Sequence, residues 1–166
     1  MATISRDNIV KSLGFDVKKL NYPQAVDGSF DYNQGDLVYF DAGAAIVKAL
    51  DSDAHAAFLA GVALRGSFLA PYTAQNLSSG PGIQKNYYND ALVGIGCIAS
   101  FKTMVGETYV DGTVLYAGAD AQTVTTVAGN HSVGVVKLPS GGDAITGAVG
   151  VEVPVLVIPQ IPIQTL

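Results

Sequence analysis

Short apolar runs separated by Gly and Asp recur through the middle of the chain. Most runs are only a few residues long and rich in Val, Ile or Leu, which is typical of strands. Strands at this spacing favour a sandwich or a barrel over βαβ units. One run, 58–64, overlaps a stretch with good helix propensity, residues 54–60. The predicted strands span residues 37–40, 45–50, 58–64, 92–101, 113–117, 122–127, 132–138 and 149–157.

Two parts of this pattern resemble each other. Residues 35–39 (Gly-Asp-Leu-Val-Tyr) align with residues 112–116 (Gly-Thr-Val-Leu-Tyr), and the pair Gly-Val follows both motifs, at 61–62 and at 134–135. A second strand and a turn lie between the motifs in each copy, which supports a strand at 58–64. A duplicated meander is a feature of architecture. We therefore predict a mainly β fold, a small β-barrel of which two similar three-strand meanders form the halves.

The same pattern separates this body, residues 34–158, from the two ends of the chain. Residues 1–33 form a predicted N-terminal arm with little alternation of apolar and polar positions. Within the arm, Ser5 can cap a short helix that runs through Leu13 and stops at Gly14. Residues 159–166 form a predicted extended tail.

A long insertion at residues 65–91 separates the two meanders and is rich in Gly, Asn, Ser, Pro and Tyr. A loop of this length in a compact domain is usually functional or disordered. Tyr72, Tyr87 and Tyr88 make it resemble a contact loop, because tyrosine gives a large contact area for few frozen torsions. Alternatively, the insertion is a surface excursion packed by its own tyrosines.

The C-terminal end has no charge after Glu152. Pro154 lacks the amide hydrogen that a central strand donates, so the last strand is predicted to lie at an edge. Beyond it, Pro159 and Pro162 favour an extended chain. Leaving its four large aliphatic side chains in water forfeits about 1.5–3 kcal/mol each relative to full burial. The tail therefore folds back on its own barrel or docks on another subunit through Ile158, Ile161, Ile163 and Leu166.

Composition and charge narrow the possible partners. Hydrophobic residues make up 49% and charged residues 14% of the chain, which indicates a folded protein. The net charge of −5 argues against nucleic-acid binding. Arg6 and Lys11 belong to a basic cluster in the first nineteen positions, which either docks on an acidic surface or is solvated. The longest charge-free apolar stretch, 91–101, is too short to cross a bilayer, and no signal peptide is evident.

Motifs for catalysis are absent from the sequence, and we expect no enzyme activity, cofactor or metal. The Gly-Ile-Gly at 94–96 resembles a dinucleotide fingerprint only superficially. Two carboxylates and an imidazole that could bind a metal come from Asp51, Asp53 and His55. Asp-Ser-Asp is also an ordinary turn between two strands. His131 lies in another turn. Cys97 falls in an apolar strand and is expected to be a small buried hydrophobe.

The ordered series of motifs resembles one family, the head-decoration (capsid cement) proteins of tailed phages. The first half of the series is Gly-Asp-Leu-Val-Tyr at 35–39 and Leu-Ala-Gly-Val-Ala at 59–63. The second half comprises residues 93–96, 106–109, 111–116 and 133–136. The likeness covers about residues 34–158 and implies a β-barrel-like (β-tulip) domain without catalysis.

This resemblance implies a place on the outside of the virion. Such proteins are made in the host cytoplasm, bind the expanded head, bridge its capsomers and often form homotrimers. The major capsid protein and further copies of the chain would be the partners. An alternative function is a tail, fibre or host-adhesion module that contacts carbohydrate through the tyrosine loop. The expected contacts in the two arms are Ile4, Arg6, Ile9, Lys11, Leu13, Ile158, Ile161, Ile163 and Leu166.

Overall fold

The structure is a computed structural model that describes residues 11–12, 18–23, 32–41, 46–67, 90–129, 131–140 and 142–159. Within these residues the chain forms strands and one short 3₁₀ helix, Asp53–Phe58. The strands are β1 (Lys11–Ser12), β2 (Lys18–Pro23), β3 (Leu37–Asp41), β4 (Ile46–Ala49), β5 (Leu59–Ala63), β6 (Asp90–Ile95), β7 (Cys97–Thr103), β8 (Thr108–Tyr109), β9 (Val114–Ala117), β10 (Thr123–Thr125), β11 (Ser132–Val136), β12 (Ile145–Thr146) and β13 (Glu152–Val157).

Five strands of the C-terminal half close into a barrel in the order β7, β13, β11, β9, β10 and back to β7. The pairing of β10 with β7 that closes it is parallel, and the other four are antiparallel. Strands β2, β6, β5, β3 and β4 form a second sheet that is antiparallel throughout. The prediction of a mainly β fold with a barrel and meanders is confirmed.

The internal repeat is larger than the sequence motifs indicate. If β2 to β6 are numbered one to five, the order in their sheet is one, five, four, two, three. If β7, β9, β10, β11 and β13 are numbered in the same way, their order in the barrel is identical. The repeating unit therefore has five strands, and its two copies span 18–95 and 97–157.

Registers and turns repeat as closely as the strand order. Val38 lies opposite Gly61 and Leu115 lies opposite Gly134, and in each case the register shifts directly afterwards. The Gly35 N–H donates to the Ala63 carbonyl at 2.8 Å, as the corresponding amide of the second unit does to its own β11 at 2.9 Å. Because the bulge recurs in both five-strand units, we interpret it as a bend that the sheet requires.

The two meanders lie in separate five-stranded arrays, whereas the sequence suggested two halves of one barrel. The first meander pairs with β6 through β5, and the second pairs with β13 through β11. Each meander therefore finds its additional strand partner within its own unit. The units are joined by the Leu37 N–H, which donates to the Ala121 carbonyl at 2.8 Å, and by the Gln122 side chain, which donates to Asp36 at 3.0 Å.

Among the described residues, one apolar cluster extends through both units, and a second, smaller cluster lies in the first unit. In the first unit the larger cluster includes Leu37, Leu50 and Val62, and in the barrel it includes Phe101 and Leu115. All five side chains are almost completely buried. The alternation of buried and partly exposed positions along β7 and β13 points one face of each strand into the barrel. Burial of these side chains stabilises both units together.

Two predicted boundaries change in the structure. The predicted strand 92–101 is two strands, β6 and β7, because Gly96 adopts a positive φ of 70° and ends the first unit. The stretch before β5 follows its helix propensity as the 3₁₀ helix, and the strand then begins at Leu59.

Two segments of the N-terminal region pair as strands with the rest of the fold. Lys11–Ser12 is a strand paired with Ile98 and Cys97, so a helix running through Leu13 is wrong at these two residues. They pair with a part of β7 that β10 leaves open, and an open edge supplies backbone partners that a helix cannot use. Lys18–Pro23 pairs with β6 along its whole length.

The prediction that Pro154 restricts the last strand to an edge is wrong. Strand β13 lies between β11 and β7. The Pro154 carbonyl accepts a hydrogen bond from the Lys137 N–H at 2.9 Å, one residue beyond the end of β11. In an antiparallel ladder the N–H and C=O of one residue face the same neighbour. The N–H that Pro154 lacks would therefore face a position beyond the end of β11.

Candidate interaction surface

Three turns meet at the end of the barrel where β7 stops and β13 starts. The turn after β7 is bonded to the turn before β13, because the Gly106 N–H donates to the Gly147 carbonyl at 2.9 Å and the Gly147 N–H donates to the Glu107 carbonyl at 2.8 Å. The Thr103 hydroxyl donates to the Val151 carbonyl at 3.1 Å. The third turn follows β10 and is held by the side chain of Glu107.

The Glu107 carboxylate accepts hydrogen bonds from several donors. The Thr125 hydroxyl donates to Oε1 at 2.6 Å, and the Thr126 N–H and hydroxyl donate to Oε2 at 2.7 and 3.1 Å. The hydroxyl of the buried Tyr109 donates to Oε2 at 2.9 Å and accepts from the Met104 N–H at 2.8 Å. One half-buried carboxylate thus ties the β7–β8 turn to the end of β10.

The surroundings of Glu107 and Tyr109 shift the pKa of both side chains. Burial tends to raise the pKa of Glu107, but the hydrogen bonds from Thr125, Thr126 and Tyr109 together lower that pKa below its ordinary value. Burial, reinforced by the neighbouring Glu107 carboxylate, raises the pKa of Tyr109 to about 12, although the Met104 N–H acts in the opposite direction. At neutral pH the pair is therefore a carboxylate and a neutral phenol.

The three turns display apolar side chains to solvent. Met104 is 42% exposed, Val105 70%, Val127 66% and Val149 92%. We call these four residues the three-turn surface. The turns that bear them, 103–106, 125–129 and 147–151, contain no charged residue. Single exposed apolar side chains are normal, but a group of them on adjoining turns is typical of an interaction site.

We expect acid to weaken the fold through Glu107. Because its folded pKa is lowered, its contribution to the free energy of unfolding is complete above the ordinary value of 4.5 and is lost as pH falls below that value. Urea unfolding between pH 6 and pH 3 should show this loss, and the Glu107→Gln variant should show a smaller one. An equal pH dependence in both proteins would contradict this role.

Asp51 and His55 form a small polar group beside β3. The His55 Nδ1 and Asp51 Oδ1 atoms are 2.5 Å apart, and the imidazole stacks on the ring of Tyr39 with centroids 4.4 Å apart. The stacking of His55 on Tyr39 holds the 3₁₀ helix against β3. In the described part of the chain, no group of three His, Cys, Asp or Glu side chains is arranged to hold a metal ion.

Cys97 is completely buried at the start of β7, and this burial raises the pKa of its thiol to about 11. A buried, protonated thiol is a poor nucleophile. We expect a thiol reagent at pH 8 to modify the folded protein only at the rate of its unfolding and to modify the urea-unfolded chain at once. Rapid stoichiometric labelling of the folded protein would contradict the buried position.

The predicted contact residues are only partly within the described structure. Lys11 lies in β1, alongside β7, and Ile158 follows β13 with more than half of its side chain exposed. The structure does not bring these two predicted contacts into the three-turn surface. The remaining predicted contacts lie outside the described residues: Ile4, Arg6, Ile9, Leu13, Ile161, Ile163, Leu166, Tyr72, Tyr87 and Tyr88.

Sequence reasoning missed the three-turn surface, although a local signal exists. Val105 and Val149 each precede a glycine with positive φ, Gly106 at 84° and Gly150 at 81°. Such glycines occupy turns, and turns lie at the surface, so a large apolar residue directly before one is predicted to be exposed. This argument identifies two of the four side chains.

Comparisons with protein-family models, with curated proteins and with solved structures each gave no match. Among the described residues, none of the helical structure has the length and apolar character needed to span a bilayer.

Proposed function

We propose that this chain is a capsid decoration protein, which binds the outer surface of the expanded head of a tailed phage and stabilises it by bridging capsomers. The observation that carries the proposal is the position of the motifs that resemble this family. The central strands of the two meanders, β3 and β9, begin within the motifs at 35–39 and 111–116. Their bulged partners, β5 and β11, correspond to the motifs at 59–63 and 133–136. The resemblance thus follows the repeated unit of the fold.

The barrel end offers a means of attachment. Its turns are fixed by hydrogen bonds to Glu107 and by backbone bonds between the turns, so little ordering is needed when a partner binds. Its four exposed apolar side chains give a partner apolar area to bury. A specific contact needs at least about 1,000 Å² in total, more than four side chains supply, so further parts of the chain would take part.

Cementing would operate by mass action. A protein that binds only the expanded lattice stabilises that lattice by its binding free energy. Repetition over many sites reinforces the shell even if each single contact is of modest strength.

The proposal is tested by head stability. Heads lacking the protein, from the phage that encodes it, should release their DNA at a lower temperature than heads to which the purified protein has been added. Equal release temperatures at saturating protein would overturn the cement role. Binding of the isolated protein to glycans, without any effect on heads, would favour the adhesion module.

A further inference from the structure

The three-turn surface and the C-terminal end of β13 lie at opposite ends of the barrel. Strand β13 begins at Glu152, opposite Lys102, next to the three turns, and it ends at Val157, opposite Cys97. The chain then continues through Pro159 into residues 160–166, Gln-Ile-Pro-Ile-Gln-Thr-Leu. From this arrangement we infer that residues 160–166 of one copy bind the three-turn surface of a second copy.

The length of residues 160–166 distinguishes binding to a second copy from binding to the same chain. The six residues of β13 span about 20 Å. The seven residues after Pro159 reach at most about 24 Å when fully extended. To meet its own three-turn surface the tail must first reverse, and a turn uses about four residues. The residues left span about 10 Å, which is shorter than the barrel.

The two surfaces match in chemistry. The tail carries Ile161, Ile163 and Leu166 and no charged residue. The three-turn surface exposes one methionine and three valines on turns that also lack charge. Binding therefore removes apolar area from water on both partners. A contact between different surfaces of two copies is head-to-tail, so it can close a ring or extend a chain.

The inference does not depend on the proposed function, because it concerns copies of this chain alone. Its test uses three variants. One lacks residues 160–166. A second has Val105→Asp with Val149→Asp, which changes two of the most exposed positions of the surface. The matched control has Phe58→Asp with Val114→Asp, two exposed apolar positions outside the three turns.

Light scattering should show association of the full chain and of the control variant. The truncated chain should be monomeric because it lacks the segment that binds. The Val105→Asp/Val149→Asp variant should also be monomeric at the same concentration, with an affinity at least about tenfold weaker, because it places charges in an apolar contact. Circular dichroism should show all variants folded. An unchanged affinity for either altered protein would overturn the inference.

The decisive sample is an equal mixture of the two monomeric variants. The truncated chain retains an intact three-turn surface, and the Asp variant retains an intact tail. If one copy's tail binds another copy, the mixture forms a heterodimer although neither component associates by itself. A mixture that stays monomeric would contradict binding between copies.

Discussion

Gly134→Ala should be one of the most destabilising single substitutions in the barrel. A Cβ at this position would overlap the carbonyl oxygen of Leu156 and lie 3.1 Å from the Ile158 nitrogen. These are backbone atoms of β13 and of the residue that follows it, and β13 is held from its other side by β7 and cannot move away freely. We expect the free energy of unfolding to fall by about 3 kcal/mol or more, measured by urea denaturation.

Gly150→Ala is the matched control. Gly150 has a φ of +81°, but nothing lies within 4 Å of an added Cβ, so the substitution causes backbone strain without a clash. The expected loss is about 1–2 kcal/mol. Gly61→Ala should also be severe, because its Cβ would lie 2.5 Å from the Gly94 carbonyl oxygen. If Gly134→Ala cost no more than Gly150→Ala, the close approach of β11 and β13 would be refuted.

Glu107→Ala should cost about 2–4 kcal/mol of unfolding free energy. The substitution deprives the Thr125 hydroxyl, the Thr126 N–H and the Tyr109 hydroxyl of a charged acceptor. Hydrogen bonds to ionised groups contribute more than neutral ones, and donors left unpaired near the core carry a further cost. The turn after β10 should also lose its fixed position relative to the turn after β7.

Asp143→Ala, which removes an exposed carboxylate from another turn, serves as the control and should change stability by less than about 0.5 kcal/mol. Hydrogen exchange of the Thr126 amide gives a local measurement that global stability does not. Its protection should fall in Glu107→Ala much more than that of amides in the middle of β13. Equal protection of Thr126 in both proteins would show that Glu107 does not hold this turn.

The strand content of both meanders could be predicted because each signal is local. The motifs at 35–39 and 112–116 combine a turn glycine with an apolar run, and the structure places both at the same position of the repeat. Gly61 and Gly134 recur because the bulged strand closely approaches the neighbouring backbone in both units. A repeated steric requirement leaves a repeated residue, and this is visible in one sequence.

The rest depends on contacts between distant residues. Strand β2 pairs with β6, about seventy residues later, and its own sequence, Lys-Lys-Leu-Asn-Tyr-Pro, gives little sign of a strand. Strands β8 and β12 have two residues each, so they show no periodicity. The position of Pro154 in a central strand depends on where β11 ends. Local patterns cannot give any of these pairings.

The candidate site was difficult to predict for the same reason. The three-turn surface is assembled from turns at about 105, 127 and 149, and Glu107, which connects them, looks in the sequence like any turn carboxylate. The tail was identified from the sequence because large aliphatic residues recur after Glu152 without any charged residue. Its proposed binding surface exists only where the fold brings the three turns together, so no local pattern contains it.

The central claim is tested most directly by sedimentation of the purified full-length protein with decoration-free heads from the phage that encodes it. Expanded and unexpanded heads are compared at increasing protein concentration, and the bound copies per head are counted. Capsid decoration predicts saturable binding to expanded heads alone, with a copy number set by the lattice. A folded protein that binds neither form of head would contradict it.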